Sequence, residues 1–131
     1  MTDEKDSGDG IPDYYNDTVE DYDAWSKQGY LHYGYWRPWL NPFSRRGMLE
    51  EMNKLVFSKL GLSELKEGQV ADLGCGVGAV SRHGSRLFPG LQFHAMTVSA
   101  NQVERGKHLH ESEDVTYYCG DYHELPFADK Q

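Results

Sequence analysis

The chain has 131 residues, with 21 acidic against 13 basic side chains and 38% hydrophobic residues, and a mean hydropathy of -0.73, the profile of a soluble globular chain with one domain at most. No stretch approaches the ~18 consecutive apolar residues that cross a bilayer, and Met1-Thr2-Asp3-Glu4-Lys5-Asp6 is acidic where a leader peptide is basic and then apolar. The expected address is therefore cytoplasmic. Cys75 and Cys119 are too few for a disulfide framework and lack C-x-x-C spacing, which argues for free thiols and no metal site.

The net charge of -8 is concentrated at one end. Residues 1–23 carry nine acids against Lys5, whereas residues 24–131 carry twelve acids and twelve bases. A balanced body has no basic footprint for a phosphate backbone, so nucleic acid is not an expected partner. The leader, residues 1–13, reads as solvated and disordered. Tyr14-Tyr15 and Tyr22 follow in a stretch able to dock.

An aromatic-dense run comes next, Tyr30-Leu31-His32-Tyr33-Gly34-Tyr35-Trp36-Arg37-Pro38-Trp39, which Gly34 and Pro38 break into loops or short turns. After Asn41-Pro42, the apolar residues Met48, Met52, Leu55, Val56 and Leu60 recur at helical spacing and predict an amphipathic helix ending before Gly61. From Gln69 the pattern changes. Val70-Ala71-Asp72-Leu73 reads as a buried strand, Gly78 to about Phe88 as a helix stopped by Pro89-Gly90, and Leu91 to Val98 as a second strand. Ser99-Ala100-Asn101-Gln102 has the form of a capping box, predicting a helix to about His110 before a third strand, Val115–Cys119. Strand, helix, strand, helix, strand is the βαβαβ half of a doubly wound α/β fold with a parallel sheet.

Between the first strand and its helix lies Asp72-Leu73-Gly74-Cys75-Gly76-Val77-Gly78. Glycines there allow a tight turn and a close approach to a helix N-terminus, whose free N–H groups attract an anionic group, so a nucleotide-like ligand is implied. Gly74 to Ala79 also fits the loose G-x-G-x-x-G/A fingerprint. The second strand, however, lacks the Asp, Glu or Arg that a nicotinamide site calls for.

That loop resembles motif I, D/E-x-G-x-G-x-G, of the class I S-adenosylmethionine-dependent methyltransferases. Met96-Thr97-Val98-Ser99-Ala100-Asn101-Gln102-Val103 resembles the G-x-T-x-S-x-x-Q stretch of the subgroup acting on natural products, sterols and tocopherols. Leu31-His32-Tyr33-Gly34-Tyr35-Trp36 resembles the aromatic L-H-x-G-Y-W segment that precedes the domain in the same subgroup. The match runs over residues 14–131. It implies a Rossmann-like sheet over residues 67–131 and an N-terminal helical and aromatic lid segment over residues 14–66.

By this resemblance Gly74, Cys75, Gly76 and Gly78 would wrap the methionine half of S-adenosylmethionine, and Asp72 would brace the loop and address the amino group. The alternative for Asp72 is a carboxylate that merely caps the turn. Asp121, after the third strand, would accept a hydrogen bond from the adenine amino group, with Tyr122 flanking the ring. The family usually ends its second strand with an acid that grips the ribose. Here that contact falls to Thr97, Ser99 or Gln102, with capping as the competing role for Gln102. Tyr14, Tyr15, Tyr33 and Trp36 either cover the cofactor or pack a core. Methyl transfer depends mainly on positioning, so a general base is optional, and His32 and His123 are the candidates, each with a purely structural alternative.

A complete domain of this family has seven strands in the order 3-2-1-4-5-7-6, and this sequence carries strands 3-2-1, stopping at Asp129-Lys130-Gln131 where a fourth would begin. The expectation is an incomplete sheet whose first strand, residues 70–73, has an open edge for a companion subunit or second copy. The leading functional reading is a subunit of a methyltransferase for a small, apolar metabolite, active within a complex. The alternatives are a noncatalytic accessory subunit that stabilises a full-length methyltransferase, and a related protein or fragment serving another reaction.

Overall fold

A computed structural model describes residues 29–109 and 114–128. The acidic leader, Tyr14, Tyr15, Tyr22, His110 and the final residues 129–131 lie outside the described residues. The order of elements is α1 (Arg45–Lys59), a 3-10 turn (Leu62–Glu64), β1 (Gly68–Leu73), α2 (Ala79–Leu87), β2 (Leu91–Thr97), α3 (Ala100–His108) and β3 (Val115–Cys119). The three strands form one sheet in the order β1-β2-β3, parallel throughout. This is the Rossmann-like α/β half expected from the alternation of elements, with strand bounds within two residues of those predicted.

Register explains how the sheet packs. Val70, Phe93 and Val115 form one row across it, and Asp72, Ala95 and Tyr117 form the next row on the same face. Phe93 is the centre of the core, buried with Phe57, Leu62, Leu91, Ala95 and Val115. Phe57 of α1 meets both Phe93 and Phe88 edge to face, at centroid distances of 6.4 and 5.6 Å. At Gly84 in α2, an added Cβ would lie 2.4 Å from the Phe93 ring. A mid-helix glycine costs about 1 kcal/mol of helix propensity, and here it lets the helix lie directly on the aromatic core.

Helix α1 departs from the predicted stripe. Its buried residues are Leu49, Asn53 and Phe57, whereas Val56 and Leu60 are exposed. The difference is a rotation of the inward face, caused by a polar contact that hydrophobic spacing does not register: the Asn53 side-chain amide donates to His83 Nδ1 at 2.9 Å in the α1–α2 interface. The helix starts at Ser44, whose hydroxyl accepts from the Gly47 amide, while Asn41 organises the turn before it by accepting from the Phe43 amide.

The first strand also differs from the buried strand expected. Val70 and Asp72 are half-buried toward the helices, whereas Ala71 and Leu73 are exposed. Among the described residues β1 pairs only with β2. Its other edge and the face carrying Ala71 and Leu73 have no described element over them, so the burial alternates.

Burial holds the His83 imidazole below its ordinary pKa of 6.5, with the cations Arg86, Lys54 and Arg46 acting in the same direction and Glu50 opposing. A histidine depressed in the folded state contributes stability above the unfolded pKa and loses it as pH falls. Urea midpoints measured from pH 7.5 down to 5 should therefore drop more steeply for the wild type than for Asn53→Leu/His83→Phe. Asn53→Leu alone, which leaves the buried imidazole nitrogen without its donor, should lose about 1–3 kcal/mol of stability at neutral pH.

Candidate functional site

The site is built at the carboxyl end of β1. Gly74, Gly76 and Gly78 all have positive φ, at 77°, 57° and 74°, so the backbone reverses from strand to helix through left-handed conformations that L side chains rarely adopt. The amides of Gly74 and Cys75 both donate to the Met96 carbonyl of β2 at 2.9 Å, and the Gly78 amide donates to the Cys75 carbonyl at 2.9 Å. Gly78 is the N-cap of α2. The amides of the first turn beyond it have no intrahelical acceptors and form an anion-attracting end.

The glycines are not equivalent. A Cβ at Gly74 would meet nothing within 4 Å, whereas at Gly78 it would lie 2.6 Å from the Tyr117 ring. Tyr117 is packed between Gly78 and Gly106, since a Cβ at Gly106 would also lie 2.6 Å from that ring. Gly74 thus faces open space beside the loop, while Gly78 is where the helix start closes on the sheet.

Asp72 lies beneath the loop and accepts a hydrogen bond from the Ser81 hydroxyl at 2.7 Å. Burial pushes its carboxyl above the ordinary value, and the Ser81 contact opposes that shift. The Cys75 thiol donates to the Gly76 carbonyl. Burial, and next the Asp72 charge, push its pKa up to about 12, so it stays a neutral thiol rather than a nucleophile.

Thr97, Ser99 and Gln102 are brought together but turned inward. The Thr97 hydroxyl donates to Gln102 Oε1 at 2.7 Å, the Ser99 amide donates to the Thr97 hydroxyl at 3.3 Å, and the Gln102 amide donates to the Ser99 hydroxyl at 3.2 Å. All three are buried. Ser99 caps α3, and the Gln102 side chain accepts from the Thr97 hydroxyl.

Asp121 follows β3, two residues past its end, and is exposed. It accepts from the His123 amide at 2.9 Å and pairs with His123 Nδ1 at 2.6 Å. Hydrogen bonds from the His123 backbone and then its ring hold the Asp121 carboxyl below its ordinary value, so it is ionised at neutral pH. Tyr122 is exposed and stacks on His123 at 4.3 Å.

The aromatic segment reaches the glycine loop through unexpected residues. A Cβ on Gly76 would lie 2.9 Å from Leu31, and one on Gly29 would lie 2.2 Å from the Val77 side chain. Tyr33 is 85% exposed and Trp36 51%. His32 is half-buried, edge-on to Tyr30 at 5.4 Å, with Nδ1 paired to the Tyr33 carbonyl at 2.9 Å. Sequence reading passed over Ser81, Arg82 and Tyr117, which lie within an unbroken helix and strand and match no motif. Among the described residues there is no cluster of three metal ligands and no helix long and apolar enough to cross a membrane.

Parallel strands flanked by helices, with a glycine turn into a helix N-terminus, form a partial Rossmann-like sheet of the fold seen in class I S-adenosylmethionine-dependent methyltransferases. Residues 70–131 match the family described as "Methyltransferase domain". A curated protein of Oryza sativa subsp. japonica, "Probable tocopherol O-methyltransferase, chloroplastic", is 38% identical over 73 residues, covering 53% of this chain and 20% of its own length. The structure of geranyl diphosphate C-methyltransferase from Streptomyces coelicolor A3(2), in complex with Mg2+, geranyl-S-thiolodiphosphate and S-adenosyl-L-homocysteine, superposes with a TM-score of 0.68 at 19% identity. That match covers 91% of this chain and 50% of that one. A (4+2)-cyclase superposes with a TM-score of 0.69 at 23% identity over 89% of this chain and 44% of its own, so the fold is shared across different reactions. The chain spans one fifth of the curated relative and half or less of these two structures.

Gly74→Ala, strained only by its φ, should lose about 1–2 kcal/mol of stability. Gly78→Ala meets the same strain and must also displace the Tyr117 ring, adding about 1–3 kcal/mol. Chemical denaturation of the two variants side by side checks the order.

Proposed function

We propose that this chain holds S-adenosylmethionine at the β1–α2 glycine loop and contributes the cofactor side of a methyltransferase acting on a small, apolar metabolite. The observation that carries the reading is the placement, at the carboxyl ends of adjoining parallel strands, of a left-handed glycine loop with an open side at Gly74. Beyond β3 stands an ionised acceptor, Asp121. The residues fit the group. Gly74, Cys75, Gly76 and Gly78 would wrap its methionine half, Asp72 would receive its amino group, and Asp121 would accept from the adenine amino group with Tyr122 against the ring. Tyr14, Tyr15 and Tyr33 would cover it. Thr97, Ser99 and Gln102 would shape the ribose end, by direct contact or by holding the β2–α3 turn that lines it.

Bound S-adenosylmethionine supplies an electrophilic methyl group on a sulfonium sulfur. The chain's own part is positional: the glycine loop fixes the ligand's location, the aromatic segment excludes water, and His32 is the candidate to take a proton from an acceptor that must lose one. The relatives' small-molecule chemistry supports an acceptor of that class, and a body without net charge suits an uncharged one.

The exposed Ala71 and Leu73, and the edge of β1 that pairs with no other strand among the described residues, support the further reading that additional polypeptide lies against this strand in the active assembly, as a companion subunit or a second copy. Size-exclusion chromatography of the chain alone should show association, and a stable folded monomer would contradict that part.

Calorimetric titration with S-adenosylhomocysteine tests the cofactor site. The wild type should bind, Gly76→Arg should abolish binding by driving a side chain toward Leu31, and Asp121→Ala should weaken it about tenfold while circular dichroism stays unchanged. Absence of binding by a folded wild type, with and without a partner, would favour the noncatalytic accessory role.

A further inference from the structure

The peptide between Val77 and Gly78 sits in the middle of the loop and is held at both ends. Its N–H donates to the Cys75 carbonyl. Its carbonyl, on Val77, faces into the protein and receives one Nη1 hydrogen of Arg82. The same Nη1 donates to the Tyr117 hydroxyl at 3.1 Å, and that hydroxyl lies 3.5 Å from the Val77 carbonyl as a second donor. Arg82 is 6% exposed, and its own amide donates to the Gly78 carbonyl in the first turn of α2. A guanidinium costs several kcal/mol to take out of water unless its donors are satisfied, so burying one against a loop carbonyl is unusual for a helix that needs only apolar contacts with the sheet.

We infer that Arg82 and Tyr117 form a clamp that fixes the Val77–Gly78 peptide and so presets the glycine loop for its ligand. Both are positioning residues, acting on the loop from beneath. The geometry assigns each part a distinct task. Tyr117 is located by Gly78 and Gly106, whose missing side chains leave room for its ring. Its hydroxyl then orients the guanidinium, and the guanidinium holds the carbonyl inward. With that carbonyl fixed, the left-handed turn at Gly78 cannot relax by a peptide flip, and the loop need not be ordered when the ligand arrives. The inference rests on the proposed cofactor reading for the ligand's identity, while the clamp itself concerns the free protein.

Two measurements on the full chain separate these levels. The first is amide hydrogen exchange at Gly78 without ligand, with Phe93 and Val115 as references within the sheet. Tyr117→Phe keeps the ring and removes the hydroxyl, and it should speed exchange at Gly78 while leaving the sheet amides as in the wild type. The second is calorimetric titration with S-adenosylhomocysteine. Tyr117→Phe should bind about three- to tenfold more weakly. Arg82→Met should bind more weakly still, and Arg82→Lys, which keeps a cationic donor, should recover part of the loss. Unchanged Gly78 exchange in Tyr117→Phe, or equal slowing or speeding across loop and sheet, would overturn the clamp. Wild-type affinity in both Tyr117→Phe and Arg82→Lys would overturn its role in binding. A folded wild type that binds no S-adenosylhomocysteine overturns the cofactor reading instead, and Gly78 exchange still decides the clamp.

Discussion

Between Leu73 and Ala79 the backbone passes from strand to helix through three residues at positive φ, and the helix that follows must land flat on the sheet. That constraint governs the rest of the described structure. The Met96 carbonyl catches the two amides that leave β1, which ties the loop to β2. The close contact of Gly78 with Tyr117 sets how far α2 stands from β3, and Gly84 lets the same helix settle on Phe93. A side chain at Gly78 or Gly84 would separate the layers, and the first-turn amides of α2 would point elsewhere.

The chemistry follows from which groups this geometry buries. Asp72 beneath the loop and Cys75 within it are both raised by burial, which keeps the Cys75 thiol neutral. Asp121 lies outside, in water, and the His123 contacts keep it ionised. A neutral thiol in the loop and a charged acceptor beyond β3 suit a site that binds and orients. The same reasoning accounts for Thr97, Ser99 and Gln102, which satisfy one another in a dry turn where any of them alone would be a buried polar group without a partner.

Much of the fold was legible in the chain. The βαβαβ order, the third strand at Val115–Cys119, the Ser99 cap and the glycine turn all follow from local signals: β-branched runs, Pro89-Gly90, and glycines bunched where only positive φ fits. The inward face of α1 was not legible. Its alignment turns on Asn53 meeting His83, thirty residues away, and no local count of apolar residues weighs a polar pair that is satisfied across an interface. Arg82 was hidden for the same reason. A charged residue in a helix reads as a solvated one until a carbonyl and a hydroxyl from other elements are found around it.

The amino-acid sequence alone determined the element order, the location of the glycine loop and the residue types around it, because turn geometry and hydrophobic period are properties of neighbouring residues. Only the tertiary structure decided that Val70 and Asp72 of β1 turn inward while Ala71 and Leu73 stay exposed, which face of α1 is inside, and that Leu31, not the adjoining aromatics, meets Gly76. These depend on pairings between segments far apart in the chain, where a buried polar group is tolerated only if its partner arrives from elsewhere.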